Sequence, residues 1–303
     1  MKNGVINIYK ERGFTSHDVV AKLRGILKQK KIGHTGTLDP DAEGVLPVCL
    51  GTGTKLCDML TDRDKTYETV LLLGQRTDTQ DAGGNVLERA EVRVTEEEVR
   101  QAVMSFVGPC EQIPPMYSAL KVGGRKLCDL AREGKEVERR PRPVTIYGIR
   151  IQRIALPEVH MTVSCSKGTY IRTLCHDIGE RLGCHGCMKE LLRTKAGPFS
   201  VENSLRLAQV ERLRDEGRLS EAILSVERMF DTLPPVRLKE RSAKLGHNGN
   251  PFRPADTQEE EALSGQVRVY DSRGAFVGIY QYDRERTQYR PVKMFYEKQS
   301  EKV

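Results

Sequence analysis

The spacing of hydrophobic residues predicts several amphipathic helices along the chain. In one of them, an apolar stripe at three- and four-residue intervals begins at Val19 and follows Thr15 and Ser16, which are suitable helix caps. A capping box that starts at Thr95 opens another helix, which we expect to end at Gly108. The predicted helices cover residues 17–28, 51–60, 95–108, 126–133 and 171–182, with further helices within 204–229.

Apolar runs bounded by turn residues predict strands. They cover residues 45–50, 65–75, 86–94, 144–155 and 159–166. After Leu233 the pattern changes to short strands, including 267–270 and 275–282 on either side of a turn at Asp271 to Gly274. This change predicts a domain boundary near residue 232, with one domain over 1–232 and a small β-barrel domain over 233–303.

The length and composition indicate a two-domain protein with a sizeable core. The chain has 303 residues, of which 38% are hydrophobic and 30% charged, and its mean hydropathy is -0.50. No apolar run is long enough for a membrane span, and the first ten residues lack the apolar core and cleavage site of a secretory signal. The eight cysteines are spread along a chain too long to need disulfides. We therefore expect a cytoplasmic protein with reduced thiols.

Positive charge is concentrated in two segments. Residues 1–40 carry eight Lys and Arg against three acids, and residues 121–142 carry eight against four, so the rest of the chain contributes -2 to the net charge of +7. Such segregation is typical of proteins that bind a polyanion. Nucleic acid is favoured over a membrane because neither segment forms a clean basic amphipathic helix. A charged face that is merely solvated remains the alternative.

Several catalytic and metal-binding patterns are incomplete in this sequence. The glycine-rich loops at 33–36 and 51–55 lack the frame of a nucleotide-binding loop, and no Gly-x-Ser-x-Gly elbow of a hydrolase occurs. Cys184 and Cys187 have metal-ligand spacing but no second paired element, so we expect no metal site. The remaining candidate is Asp39, whose backbone is restricted by the proline that follows it, although a turn-capping aspartate would look similar.

Five segments of the sequence match known motifs in composition and in order. They are KIGHTGTLDPDAEGVLPV at 31–48, KTY at 65–67 with LGQRTDTQD at 73–81, PPMYSALK at 114–121, SKGTYIRTL at 166–174 and LLRT at 191–194. Together they strongly resemble the motifs of the TruB family of tRNA pseudouridine synthases. The resemblance implies an α+β catalytic domain with a mixed, largely antiparallel sheet and flanking helices, and a small C-terminal PUA-like β-barrel that binds RNA. In the basic arm at 121–142, Cys128 stands where the family commonly has an aromatic residue.

The resemblance also implies roles for individual residues. Asp39 would act beside the sugar and base, as a nucleophile or as a stabiliser of positive charge at the anomeric carbon. Arg172 would keep Asp39 ionised by pairing with it, while its remaining donors bind a substrate phosphate or hydroxyl. Tyr67 would stack on the flipped uridine, and its hydroxyl is a candidate acceptor for the proton released from the base carbon.

Other residues are expected to bind the substrate. By resemblance, Leu191 forms the apolar wall of the uracil pocket and His34 helps to hold the RNA loop open. Lys10 is a further binding candidate. In the basic arm, the residues expected to contact RNA phosphates are Arg125, Lys126, Arg132, Arg139, Arg140 and Arg142.

The function implied by the resemblance is isomerisation of the uridine at position 55, in the T-loop of tRNA, to pseudouridine. The reaction has no net redox change and transfers no outside group, so we expect no cofactor, and we expect a monomer without a protein partner. Direct attack of Asp39 on the sugar and a glycal or base-adduct route both stay open. An RNA chaperone that opens tRNA without chemistry is the alternative function. A glycosidase would need a second catalytic carboxylate, and the motifs give no sign of one.

Overall fold

The structure is a computed structural model that describes residues 1–259 and 261–296. In chain order the strands are β1 Gly4–Lys10, β2 Ile32–His34, β3 Glu43–Leu50, β4 Lys65–Leu73, β5 Gln75–Thr77, β6 Val86–Arg89, β7 Gly108–Gln112, β8 Lys121–Val122, β9 Arg125–Lys126, β10 Arg142–Ala155, β11 Glu158–Cys165, β12 Gly186–Ala196, β13 Phe199–Ser200, β14 Ile223–Leu224, β15 Pro235–Arg237, β16 Gln266–Tyr270, β17 Phe276–Asp283 and β18 Gln288–Met294. The α-helices are α1 Ser16–Leu27, α2 Cys57–Thr61, α3 Glu96–Met104, α4 Leu127–Arg132, α5 Ile171–Arg181, α6 Leu207–Asp215 and α7 Ala243–His247.

One large mixed sheet organises the chain up to residue 224. Its main strand order is β14-β1-β3-β12-β4-β11-β10-β7, with β2 added beside β3 and β13 beside β12. Among its described strand pairs, β3 with β12 is the parallel one and the others are antiparallel. The predicted α+β class with a largely antiparallel sheet is therefore confirmed. Within the described residues, no helix is long and apolar enough to cross a membrane.

Helix α1 forms where the apolar stripe predicts it. Thr15 accepts a hydrogen bond from the backbone N–H of Asp18, whose carboxylate accepts one from the N–H of Thr15, so a capping box fixes the helix start. The stripe is buried against β1 and β3, together with Val210 of α6. At the other end of the sheet, α3 and α5 pack on β4, β10 and β11. The Asp39 loop connects these two packed regions, because it joins β2 and β3 of the first while its own Leu38 and Ala42 pack in the second.

The C-terminal part contains a second sheet, with strand order β15-β16-β17-β18. The pairs β16 with β17 and β17 with β18 are antiparallel, and β15 is parallel to β16. This sheet has its own apolar cluster, which includes Phe252, Tyr280 and Tyr289. The strand-rich C-terminal expectation is confirmed. The boundary near residue 232 and the RNA-binding role of this part stay predictions.

Three expectations from the sequence are wrong in extent. The helix predicted over 95–108 ends at Met104, and Gly108 instead begins β7. The strand predicted over 86–94 ends at Arg89, because β6 pairs with the three-residue β5 alone and all four of its residues are exposed. The helices predicted within 204–229 reduce to α6. After it come a 3-10 turn at 219–222, strand β14, which pairs with β1, and a second 3-10 turn at 227–230. Gly217 lies two residues after the end of α6 and has a φ of 71°, in the left-handed region that commonly terminates helices.

A close approach between β3 and β12 anchors the loop that carries Asp39. Gly44 pairs with Arg193 across these parallel strands and has a φ of 105°. A Cβ atom at Gly44 would lie 2.3 Å from the backbone oxygen of Arg193, so only glycine fits there without a shift of the strands. The end of the Asp39 loop is thereby fixed to the centre of the sheet.

We expect Gly44→Ala to lower the free energy of unfolding by roughly 2 to 4 kcal/mol, because it adds backbone strain and a steric clash. Urea unfolding measures the change. Gly25→Ala is the matched control: Gly25 lies in α1 with open space around it, so alanine there should stabilise the protein by up to about 1 kcal/mol. Equal stabilities of the two variants would contradict the proposed close approach.

Candidate active site

Asp39 lies in the loop between β2 and β3, and backbone contacts hold that loop on the start of α1. The buried Ser16 hydroxyl accepts a hydrogen bond from the N–H of Leu38 at 2.9 Å. The N–H of Gly13 donates to the carbonyl of Pro40 at 2.9 Å, and the N–H of Ala42 donates to the carbonyl of Asp39 at 3.1 Å. These bonds fix the backbone on both sides of the carboxylate.

Lys10 also holds the loop that carries Asp39. Its side chain is 0% exposed, and its ammonium donates to the carbonyls of Glu11, Phe14 and Pro40 at 2.7 to 3.2 Å. Burial lowers its pKa to about 8, and the nearby Asp39 carboxylate opposes that shift. The position of Lys10 favours support of the loop over the substrate contact expected from the sequence.

Arg172 of α5 pairs with Asp39 across 133 positions of the chain. The Nε atom of Arg172 lies 3.0 Å from Oδ2 of Asp39, and Nη2 lies 3.4 Å from Oδ1. The Arg172 side chain is 6% exposed and the Asp39 side chain 39% exposed. The guanidinium is thus inside the protein, while the carboxylate faces the cleft.

The other donors of Arg172 also have protein partners. Its Nη1 donates to the carbonyl of Thr79 at 3.0 Å and lies 3.6 Å from Oδ2 of Asp81, and its Nη2 donates to the carbonyl of Tyr117 at 2.8 Å. A guanidinium has five N–H donors. Three of them make hydrogen bonds, to Asp39, Thr79 and Tyr117, while Nε and Nη1 also lie within ion-pair distance of Asp39 and Asp81. The protein thus engages most of the guanidinium, and the expectation that remaining donors of Arg172 bind the substrate stays a prediction.

Asp81 is a further residue beside Arg172 that the sequence pattern did not single out. It lies in the second matched motif, but nothing local distinguishes it from a turn residue. Its Oδ1 accepts hydrogen bonds from the hydroxyl of Thr79 at 2.8 Å and from the N–H of Gly83 at 3.1 Å, while Oδ2 faces Arg172. Two carboxylates, Asp39 and Asp81, therefore share one buried guanidinium.

The ionisation of Asp39 reflects two opposing effects. Burial raises the pKa of the Asp39 carboxyl, and the Arg172 guanidinium acts against that rise. The negative charge of Asp81 also raises this pKa, while Lys10 lowers it. Removal of Arg172 would therefore raise the pKa of Asp39 further and reduce its ionised fraction at neutral pH.

Tyr67 and Leu191 lie on the two central strands next to this pair. Tyr67 of β4 is the cross-strand neighbour of Arg193 of β12, and its side chain is 9% exposed. Leu191 of β12 is half-buried and packs on the same apolar cluster as Tyr67 and Leu38. Burial raises the pKa of the Tyr67 phenol, and the adjacent Arg193 guanidinium opposes the rise. The structure thus brings Tyr67, Leu191 and the Asp39 loop together.

His34 ends β2, just before the Asp39 loop. Its ring meets the ring of His17 edge to face, with 5.2 Å between centroids. Burial lowers the pKa of His34, and the charges of His17 and Arg193 lower it further. His34 is therefore a neutral, half-buried ring at neutral pH, close to the start of α1.

The basic arm contains its own acids. Arg125 forms an ion pair with Glu133, Arg132 lies 3.5 Å from Asp129, and Arg139 lies 3.1 Å from Glu136. Lys126, Arg140 and Arg142 are exposed and form no ion pair within the described residues. The structure therefore divides the six expected phosphate contacts into a paired set and an unpaired set.

The arm is tied to the site at its base. The N–H of Cys128 donates to the carbonyl of Ser118, and the N–H of Leu127 donates to the carbonyl of Leu120. Tyr117, directly before Ser118, supplies a carbonyl to Arg172. A displacement of the arm would therefore also move Tyr117, whose carbonyl accepts a hydrogen bond from Arg172.

The cysteines with metal-ligand spacing are part of the core. Cys175, Cys184 and Cys187 are buried, and the Sγ of Cys187 accepts a hydrogen bond from Gln75 at 3.6 Å. Across residues 1–259 and 261–296, no three His, Cys, Asp or Glu side chains are arranged to hold a metal ion.

Comparison with known proteins gives the family. The model of the TruB family pseudouridylate synthase N terminal domain matches residues 24–171, and the model of the tRNA pseudouridylate synthase B C-terminal domain matches residues 172–231. The fold and these matches place the protein among the pseudouridylate synthases, which are isomerases. The chain belongs to the TruB family, so the resemblance seen in the five motifs is confirmed.

Similar proteins cover nearly the whole chain. A protein of Lachnoclostridium phytofermentans named tRNA pseudouridine synthase B is 55% identical, over 97% of this chain and 99% of its own length. Proteins of the same name from Clostridium perfringens and Bacillus pumilus are 45% and 42% identical, over 93% and 92% of this chain and 95% and 93% of their own.

Two solved structures share the fold. The chain matched in a Cbf5-Nop10-Gar1 complex has a TM-score of 0.72 and 28% identity, over 97% of this chain and 85% of that one. The chain matched in an H/ACA RNP bound to a substrate RNA containing 2'-deoxyuridine has a TM-score of 0.71 and 25% identity, over 98% and 86%.

We expect Asp39→Asn to stabilise the folded protein at neutral pH. Because the pKa of Asp39 is higher in the folded state than in the unfolded chain, its ionised form destabilises the fold, and Asn resembles the protonated form. The gain in free energy of unfolding should stay below about 1 kcal/mol, because solvent screens a side chain that is 39% exposed. Urea unfolding should show the gain at pH 7 and lose it below about pH 4, where the carboxyl is protonated in both states.

Asp41→Asn, at an exposed position of the same loop, is the control for the loss of one negative charge, and it should change the free energy of unfolding at pH 7 less than Asp39→Asn does. Loss of stability in Asp39→Asn at pH 7 would mean that attraction to Arg172 outweighs burial.

Proposed function

We propose that the protein converts the uridine at position 55, in the T-loop of tRNA, to pseudouridine. The observation that carries this proposal is the pair of Asp39 and Arg172: a carboxylate faces the cleft while a buried guanidinium keeps it ionised. The names of the similar proteins support tRNA as the substrate. The family convention supports the T-loop position.

Asp39 is the catalytic residue in this proposal. Isomerisation breaks the bond between the sugar and the base nitrogen, turns the base, and joins the sugar to the base carbon. An ionised carboxylate beside the anomeric carbon either attacks it or stabilises its positive charge. Arg172 is a positioning residue in this proposal, because its guanidinium is buried and is held by Asp39, Thr79 and Tyr117 within the protein.

The side chains near Asp39 suit a flipped uridine. Tyr67 offers an aromatic face that replaces part of the stacking lost when the base leaves the RNA. Leu191 supplies an apolar wall beside it, and His34 stands at the start of the catalytic loop, where it helps to keep the RNA loop open. No step of this chemistry needs a cofactor.

A glycosidase remains the weaker candidate even though the structure brings a second carboxylate to the site. Glycoside cleavage needs one carboxyl group to protonate the leaving group. Asp81 instead accepts hydrogen bonds from Thr79 and Gly83 and faces the Arg172 guanidinium, so it is held as a charge partner. An RNA chaperone activity is compatible with the same surface and would not require Asp39.

Incubation with an unmodified tRNA transcript should produce pseudouridine at position 55, mapped at single-nucleotide resolution. Asp39→Asn should keep less than about one hundredth of the rate while its tRNA affinity stays nearly unchanged, because only the anionic oxygen is removed. A transcript with cytidine at position 55 is the matched control. Modification of a different uridine would contradict the T-loop assignment, and an active Asp39→Asn variant would contradict the catalytic one.

We expect the unpaired cations of the arm to carry the RNA phosphate contacts. The double variant Lys126→Ala and Arg142→Ala should weaken tRNA binding and flatten the dependence of log K on log salt by roughly 0.7 to 0.9 for each phosphate that the variant no longer binds. Replacing Arg125 and Arg132 with alanine gives the same change in net charge at residues that already have acidic partners. Their effect on the slope should be smaller.

The turnover of the Lys126 and Arg142 double variant should recover at saturating tRNA, because phosphate contacts position the RNA without reading its bases. An unchanged slope with a collapsed kcat would mean instead that the arm organises the active site.

A further inference from the structure

Arg193 is an arginine in an unusual environment. It lies on β12 and is 1% exposed, so its guanidinium is inside the protein. Among the described residues no carboxylate forms an ion pair with it. Its Nε donates to the carbonyl of Val45 at 2.7 Å, and its Nη2 donates to the carbonyl of Gly36 at 3.2 Å. A buried cation without an acidic partner is costly, and such groups are retained where their charge is used.

The side chain that Arg193 contacts is Tyr67. The two residues are cross-strand neighbours on β12 and β4, so the buried guanidinium lies beside the phenol, and its charge opposes the rise in the pKa of Tyr67 that burial causes. A guanidinium can only donate, so it can interact with the phenol oxygen of Tyr67 only as a donor.

The two carbonyls held by Arg193 belong to the ends of the catalytic loop. Gly36 precedes Asp39 by three residues, and Val45 follows the loop on β3. One side chain therefore holds the backbone on both sides of Asp39 and also lies beside Tyr67 on the neighbouring strand.

We propose that Arg193 is a positioning residue that orients the Tyr67 hydroxyl toward the reacting base and stabilises its ionised form. This inference rests on the proposed function, because it concerns the proton that leaves the base carbon. After the sugar joins that carbon, the carbon–hydrogen bond breaks, its electron pair returns to the ring, and the proton moves to the Tyr67 oxygen. The phenol has first released its own proton to solvent, and the Arg193 guanidinium stays protonated throughout.

The other charged groups around Tyr67 do not supply this effect. Asp39 and Cys165 face the phenol and disfavour its ionised form, whereas Arg193 favours it. Lys65, on the same strand as Tyr67, donates its hydrogen bonds to the carbonyls of Thr61 and Arg63 instead. Arg193 is therefore the cation positioned to limit the rise in the pKa of the Tyr67 phenol that burial causes.

The test replaces Tyr67 with fluorotyrosine and follows its ionisation by fluorine NMR in the protein without RNA. In the Arg193→Met background, the titration midpoint should rise by at least about one pH unit, a tenfold loss in ionisation constant. Arg193→Lys keeps a charge at the same place and should lie between that variant and the parent. Equal midpoints in the Met variant and the parent would overturn the inference, whatever the RNA substrate proves to be.

Kinetics separates action through Tyr67 from a general loss of structure. At saturating tRNA, Arg193→Met should lower the single-turnover rate about a hundredfold in the Tyr67 protein but only a few-fold in the Tyr67→Phe protein. Equal losses in both backgrounds would show that Arg193 is merely structural. Thermal melting checks that the variants are folded.

Should both Arg193 variants fail to fold, the parent protein still decides the question. Fluorotyrosine at position 67 lowers the pKa of the phenol, so the single-turnover rate at pH 7 should rise if the ionised form takes the proton. An unchanged rate would overturn the inference.

Discussion

The proposed chemistry depends on keeping the partly buried carboxylate of Asp39 ionised. Burial alone would favour the protonated form of Asp39, so the protein needs a fixed positive charge beside it. Arg172 supplies that charge from inside the fold, where the carbonyls of Thr79 and Tyr117 hold its guanidinium plane. Because those carbonyls come from two different loops, the geometry of Asp39 depends on the packing of both.

Buried cations recur around this cleft. Lys10 supports the Asp39 loop, and Arg193 joins the same loop to Tyr67, while Lys65 closes the end of α2 with two hydrogen bonds of 2.6 Å. Each donates to backbone carbonyls, which offsets part of the cost of removing a charge from water. The buried cations place positive charge on the side of the protein where we propose that the negatively charged RNA binds. Burying them lowers stability, but their charges are already oriented before the substrate binds.

The basic arm differs from the cleft because its charges are exposed and partly cancelled. Glu133, Asp129 and Glu136 pair with three of its arginines, so the local net charge overstates the number of cations available to RNA. Surface pairs of this kind contribute little to stability. The arm is nonetheless connected to the chemistry, because Tyr117 at its base is a partner of Arg172.

Local patterns in the sequence determined helix α1, the capping box at Thr95 and the five motifs, because short-range spacing and capping suffice for these features. The same patterns failed for residues 86–94, where the extent of a strand depends on its partner. They also gave Asp81 and Arg193 no role, since neither residue has a distinctive neighbour in the sequence. The family resemblance already implied the pairing of Arg172 with Asp39. Only the tertiary structure added Asp81 to that pair and brought Arg193 beside Tyr67, because residues far apart in the chain meet only when the elements that carry them pack together.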